Sequence, residues 1–164
     1  PGAGVGGHCI AVDPWFIVDS CPEQAKIIRA AREVNDAKPL WVLERVKEAL
    51  EYYHQQHPDA KRSELTVACL GVAFKPDIDD LRESPALGIA KKVAELGCRV
   101  QIVEPNIEAL PRSLDLPNVE LVSLEEALAQ ADALCVLVKH KSFIKNTDSV
   151  RLKEYVIDAV GLLG

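Results

Sequence analysis

Beyond residue 64 the sequence alternates between two periods, and that alternation dictates the class of fold. Five apolar runs, LTVACLGV (65–72), CRVQIV (98–103), VELV (119–122), ALCVLV (133–138) and YVIDAV (155–160), are separated by stretches with helical spacing over 85–96, near 107–113 and over 124–130. Near-continuous apolar runs fit strands covered on both faces, and strands alternating with helices imply βαβ units and a mainly parallel sheet. The short connections require right-handed crossovers. An α/β fold is therefore expected. Local chemistry sharpens two of the helices. Ser84 is placed to cap the first, Pro85 suits its first turn, and Gly97 can take the left-handed conformation that ends it. Ser123 followed by Glu126 is a capping box for the helix over 124–130.

The front of the chain is organised differently. Residues 1–22 are rich in Gly, Pro and Asp and read as a loop with short extended pieces. Residues 23 to about 56 carry helical spacing, with Ala25, Ile28, Ala31 and either Arg32 or Asn35 on one stripe and Leu40, Leu43, Val46, Leu50 and Tyr53 on another. Pro39 lacks an N–H and crowds the preceding turn, so a kink or a break into two helices is expected near Asp36–Lys38. A helix of this length suits either a spine between domains or subunits, or an ordinary core-packing pair. The polar stretch from His57 to Ser63 reads as a linker. The expected organisation is three blocks: residues 1–22, residues 23–62 and residues 63–164.

Composition excludes several function classes. With 19 Lys+Arg against 25 Asp+Glu among 164 residues, the net charge of −6 argues against a nucleic-acid partner. No apolar run approaches the roughly 20 residues of a membrane helix. Five cysteines at positions 9, 21, 69, 98 and 135 form neither a disulfide framework nor the paired spacing of a zinc site, so a reducing, cytoplasmic setting is expected and no metal. Cys69, Cys98 and Cys135 sit in or beside β-like runs, where a thiol acts as a small buried hydrophobe. The opening PGAGVGGHC has no initiator Met, no charged n-region and no apolar h-region, and reads as a sequence entered partway along.

Gly2, Gly4 and Gly7 match the spacing G-x-G-x-x-G, but that fingerprint binds a pyrophosphate only where a strand feeds it and a helix leaves it. No strand precedes it here, and Ile10–Pro14 reads as extended, since Pro14 disfavours helical angles at Asp13. Glycines leading to a cysteine have another use: they let the backbone approach a ligand and present the thiol. A free thiol is only about 3 % thiolate at pH 7, so Cys9 would need help from its surroundings. Asp13 could orient a water or accept its proton. The residues alone leave Cys9 open between nucleophile and structural thiol.

A resemblance bears on that choice. The stretch from Gly4 to Phe16, GVGGHCIAVDPWF, resembles the catalytic-cysteine segment of the UDP-glucose/GDP-mannose dehydrogenase family. Arg32-Glu33-Val34-Asn35-Asp36 resembles that family's central helix, and Phe74-Lys75-Pro76-Asp77 with Asp79 to Pro85 resembles the signature of its C-terminal nucleotide-sugar domain. His8 and the Ala-Val-Asp-Pro-Trp-Phe after Cys9 are most similar to the branch acting on UDP-N-acetyl-D-mannosamine.

The resemblance implies a Rossmann-like, UDP-binding parallel sheet over 63–164, a central dimerising or connecting helix over 23–62 and a catalytic-cysteine loop over 1–22. It further implies an NAD-dependent oxidation of a sugar C6 alcohol to a carboxylate, serving bacterial surface polysaccharide synthesis, with other UDP-sugars or a non-catalytic nucleotide-binding module as alternatives. Cys9 would carry a thiohemiacetal and then a thioester, and Asp13 would position or activate the hydrolytic water. Gly6, Phe74 and Lys75 would meet the substrate, and Arg82 would reach NAD across a domain cleft or, in the plainer reading, pair with Asp79, Asp80 or Glu83. The family's NAD-binding half is not matched, so these residues alone are expected to be inactive. A homodimer through the central helices is implied as well. One departure stands out: a basic residue usual in the family after Asp-x in the last strand is Val160 here, and its role passes to no other residue. His8 reads as a structural histidine.

Overall fold

The computed structural model describes residues 2–164. Five strands, β1 (Thr66–Leu70), β2 (Arg99–Val103), β3 (Val119–Leu121), β4 (Ala133–Val136) and β5 (Tyr155–Asp158), form one sheet in the order β3-β2-β1-β4-β5. Every pairing is parallel, with Thr66 opposite Arg99 and Val67 opposite Ala133. The order reverses between β1 and β4. At such a switch point the connections leave in opposite directions and open a crevice at the carboxyl ends. The central strand β1 is apolar after Thr66 because both faces are covered; Val67, Ala68, Cys69 and Leu70 are all fully buried.

The helices are α1 (Asp13–Ser20), α2 (Lys26–Gln56), α3 (Pro85–Ala94), α4 (Leu124–Gln130), α5 (Lys141–Ile144) and α6 (Thr147–Arg151). Ser84 caps α3 by accepting from Leu87 N–H at 3.2 Å, and Gly97 ends that segment at φ +85°. The Ser123–Glu126 capping box forms at α4. Asn118 Nδ2 donates to the carbonyls of Ala94 and Cys98 at 2.9 and 2.7 Å, fixing the turn from α3 into β2.

Helix α2 changes character along its length. Val42, Leu43, Val46 and Leu50 of its second half are buried in the core beside α3. Tyr53 Oη donates to Asp132 Oδ1 at 3.1 Å, while Asp132 Oδ2 accepts from Thr66 N–H at 2.8 Å, so its C-terminal end is tied to the start of β1. The first half exposes Ile27 and Val34, 85 % and 74 % accessible.

Four expectations are corrected. Residues 10–14 are not extended: Cys9 begins a turn and α1 starts at Asp13, with Pro14 in its first turn. Proline needs no N–H partner there, and Asp13 complements the positive end of the helix, which outweighs the preference of a pre-proline residue for extended angles. Pro39 does not break α2, which runs unbroken from Lys26 to Gln56. The cost of an interior proline, about 3 kcal/mol for the lost hydrogen bond and the ring clash together, is offset by the docking of the second half into the core and by the glycine loop packed on Pro39. Leu40 is half exposed rather than part of the buried stripe. The helix near 107–113 is only a single 3-10 turn at Arg112–Leu114, because Pro105, Pro111 and Pro117 punctuate that connection.

Gly71 follows β1 at φ +87°, and a Cβ there would lie 2.4 Å from Val138 Cβ. Gly71→Ala is expected to cost about 2–5 kcal/mol through strain and overpacking together, measured by urea unfolding. A loss under about 1 kcal/mol would mean that the β1 and β4 ends separate freely.

Candidate functional site

The crevice expected from the topology is present. A cleft of about 360 Å³ opens at the carboxyl ends of β1 and β4, between the loop after β1 and the segment Leu137–Lys139. Phe74 and Lys75 line it from the first side, Lys139 and Val160 from the other, and Gly2–Gly4 form a further wall. Lys75 Nζ lies 5.5 Å from the Phe74 ring centroid, within cation–π range.

A buried carboxylate holds the loops that shape this cleft. Glu104 leaves β2 almost fully buried, and its Oε2 accepts from Val72 N–H at 2.9 Å, Ala73 N–H at 3.1 Å and His140 Nε2 at 3.0 Å. Its Oε1 accepts from Asn106 through both the backbone N–H and Nδ2. His140 is fully buried, and its Nδ1 accepts from Asp77 N–H at 2.9 Å, which assigns the ring proton to Nε2. Asp77 sits at φ +60°, with its carboxylate accepting from Lys141 N–H at 3.0 Å. Burial pushes the Glu104 carboxyl up, but the bonds from His140, Val72 and Ala73 outweigh it and leave it below its ordinary value.

The glycine loop is seated against the same loop. A Cβ on Gly6 would stand 2.4 Å from the Glu83 carbonyl and 2.7 Å from Pro85 Cδ, and one on Gly7 would stand 3.1 Å from the Phe74 ring. Val5 N–H donates to Asn35 Oδ1 at 3.0 Å, pinning the loop to α2. Ser84 does double duty at the far end, since its hydroxyl donates to the Val72 carbonyl at 2.7 Å. Glu83, at φ +49°, is the second non-glycine residue of this loop in the left-handed region, where strain tends to collect at functional sites.

The predicted site residues fall into two groups. Phe74 and Lys75 line the cleft, and Gly6 packs against Phe74 without being one of the cleft's lining residues. Cys9 is exposed beside the Asp80–Arg82 turn, within electrostatic reach of Arg82. Arg82 takes the plainer pairing: its Nε and Nη2 grip the Asp80 carboxylate, at 2.6 Å for Nη2 to Oδ2. Those bonds hold the Asp80 carboxyl down to about 2 and raise Arg82. Asp13 is tied to Cys9 by its backbone, N–H to the Cys9 carbonyl at 2.8 Å, and its exposed carboxylate makes no hydrogen bond among the described residues. Cys69, Cys98 and Cys135 are buried and their thiols raised by burial, Cys135 to about 12, so none is a nucleophile near neutrality. Sequence reasoning missed Glu104, His140 and Lys139; the one available signal for Lys139 was its place just beyond the fourth strand, beside the switch point.

An open parallel sheet with a cationic crevice at its switch point defines a nucleotide-binding type of α/β protein. The chain belongs to the UDP-glucose/GDP-mannose dehydrogenase family: residues 68–164 match its UDP binding domain and residues 1–37 its central domain. It is 53 % identical over 164 residues to the UDP-N-acetyl-D-mannosamine dehydrogenase of Escherichia coli, covering 99 % of this chain and 38 % of that one. It is 51 % identical to an NDP-N-acetyl-D-galactosaminuronic acid dehydrogenase of Ralstonia solanacearum, covering 99 % and 36 %. A UDP-D-ManNAc dehydrogenase structure from Pyrococcus horikoshii superposes with a TM-score of 0.73 at 30 % identity, over 100 % of this chain and 37 % of that one. The chain therefore spans well under half the length of the relatives it matches.

Replacing Glu104 tests the network. Its folded-state carboxyl lies below the ordinary 4.5, so its stabilisation is complete above that value and is lost as pH falls through the folded one. Glu104→Gln should cost about 1–3 kcal/mol at pH 7 and flatten the acid side of a denaturation profile. An unchanged acid slope would remove Glu104 from this role.

Proposed function

We propose that the chain is the thiol-bearing, sugar-nucleotide-binding part of an NAD-dependent nucleotide-sugar 6-dehydrogenase, acting on UDP-N-acetyl-D-mannosamine. The observation that carries this reading is the seating of the glycine loop on the loop between β1 and α3, which packs Gly7 against Phe74 of the cationic switch-point cleft and leaves the Cys9 thiol exposed two residues further on. The 53 % identity to a UDP-N-acetyl-D-mannosamine dehydrogenase supports the choice of sugar. In this reading residues 1–22 form the cysteine segment, 23–62 the connecting and dimerising helix and 63–164 the UDP-binding domain. A cytoplasmic location accords with five free cysteines.

The chemistry that NAD would supply when bound is hydride acceptance at the two oxidation stages between the C6 alcohol and the level of an acid. Arg82 is suited to hold one of its phosphates, since the guanidinium is exposed and its Nη1 makes no hydrogen bond among the described residues. The chain's own residues do the rest. Phe74 and Lys75 hold the nucleotide sugar, with the ammonium meeting its anionic oxygens. Gly6 offers its backbone to the substrate. Once the C6 carbon is an aldehyde, Cys9 Sγ adds to it and the thiol proton passes to the former carbonyl oxygen, giving a thiohemiacetal. At the acid oxidation level the carbon is a Cys9 thioester. Asp13 positions a water and takes its proton as the C–S bond breaks, releasing carboxylate and regenerating the thiol. Covalent capture keeps the aldehyde out of solution.

The full-length enzyme should release NADH with UDP-N-acetyl-D-mannosamine, the 164-residue chain alone should release none, and Cys9→Ser in the full-length enzyme should lower acid formation at least about 1000-fold. Near-normal turnover in the Cys9→Ser enzyme would remove the nucleophile role. Separately, the exposed Ile27, Val34 and Trp41, spaced seven residues apart on α2, form an uncovered stripe that favours a homodimer. Light scattering should give a dimer mass that Val34→Glu reduces to monomer, whereas a monomeric parent would count against dimerisation.

A further inference from the structure

The switch-point cleft holds a second cation whose role nothing above accounts for. Among the described residues Lys75 and Lys139 are its only charged lining residues and no carboxylate lines it, in a chain with 25 acidic and 19 basic residues. Neither ammonium lies within ion-pair range of a carboxylate among the described residues. Lys75 comes from the loop after β1 and Lys139 from the end of β4, so the two approach from opposite sides of the strand reversal.

Lys139 is also held in place. It is half-buried, and its Nζ donates to the Gly161 carbonyl at 2.6 Å. The turn carrying that carbonyl is fixed by Asp158, whose carboxylate accepts from Val160 N–H at 3.1 Å and Leu163 N–H at 2.9 Å. An ammonium has three protons to donate, and only one is used here. Val160 on the same wall is apolar, so the positive charge on the β4–β5 side comes from Lys139 alone. A partly desolvated cation with unfilled donors is costly unless an anion completes it.

We propose that Lys139 is a second anion-holding residue, pairing with Lys75 across the cleft to grip the diphosphate of a nucleoside diphosphate sugar. One phosphate or one sugar hydroxyl would occupy a single ammonium, whereas a diphosphate presents charge on two linked groups and satisfies both. The glycine wall at Gly2–Gly4 lets backbone approach such a bulky anion. About 360 Å³ accommodates a diphosphate with an attached ring. This inference rests on the nucleotide-sugar reading of the cleft and adds to it a residue that fixes the diphosphate.

Calorimetry on the 164-residue chain with UDP, uridine and inorganic pyrophosphate tests it. Lys139→Gln should weaken UDP and pyrophosphate about 10- to 100-fold and leave uridine unchanged, while Lys139→Arg retains most of the affinity. If the parent binds UDP and Lys139→Gln binds it equally well, the clamp is wrong and the nucleotide reading stands. Lys139-dependent binding of pyrophosphate with no preference for UDP overturns the nucleotide reading and supports the clamp; no binding of either anion overturns both. A second measurement needs no variant: saturating UDP should protect Lys139 from an amine-acylating reagent, read by mass spectrometry. Equal labelling with and without UDP overturns the proposal.

Discussion

The buried Glu104 carboxylate is the interaction on which the geometry of the cleft depends. A charge taken out of water is tolerated only when its lone pairs are filled, and here they are filled by backbone amides at the end of β1, by Asn106 just beyond β2 and by His140 just beyond β4. Three strand ends are thereby locked to one side chain. His140 passes the constraint on, because its second ring nitrogen accepts from Asp77 N–H and helps hold that residue at a positive φ. The loop bearing Phe74 and Lys75 is thus spanned from both ends, by Glu104 at Val72–Ala73 and by His140 at Asp77. Without it, the amides of Val72 and Ala73 would lose their acceptor and the cleft its shape.

A second constraint is steric. The glycine loop lies on the loop between β1 and α3 so closely that Gly6 leaves no room for a Cβ and one at Gly7 would press on the Phe74 ring. That contact carries the position of Cys9, since residues 2–12 form no helix or strand of their own. Packing against Phe74, Glu83 and Pro85 replaces the secondary structure that would otherwise fix the thiol. Gly7, one of the glycines with dinucleotide-fingerprint spacing, serves here with Gly6 as a flat surface for a neighbouring loop.

What the sequence revealed follows from the range of the forces involved. The five strands were legible because burial on both faces writes itself as continuous apolar runs, and the caps at Ser84 and Ser123 because they act over three residues. Helix α1 was hidden by a local rule about the residue before proline, which the first-turn position of Pro14 reverses. The unbroken α2 was hidden because the compensation for Pro39 comes from tertiary packing. Glu104 and His140 stand 36 residues apart and meet only through the strand order, so neither could be singled out before the topology was known. Cys9, Gly6, Phe74, Lys75 and Arg82 were singled out by resemblance to short motifs, and Lys139 was not, since a lysine after a strand reads as an ordinary solvated side chain.

Helix α2 has a consequence of phase. Its 31 residues make a rod roughly 46 Å long, with one half embedded beside the sheet and the other projecting. Because each residue turns the helix by about 100°, the azimuth of Ile27 and Val34 is set by counting residues from Val42. Inserting a single residue between Val34 and Val42 would rotate the projecting face by more than a quarter turn relative to the embedded half. Whatever rests on that face is therefore indexed to the sheet by an integer, and α2 behaves as a coupling shaft whose length can change only in whole turns if that alignment is to survive.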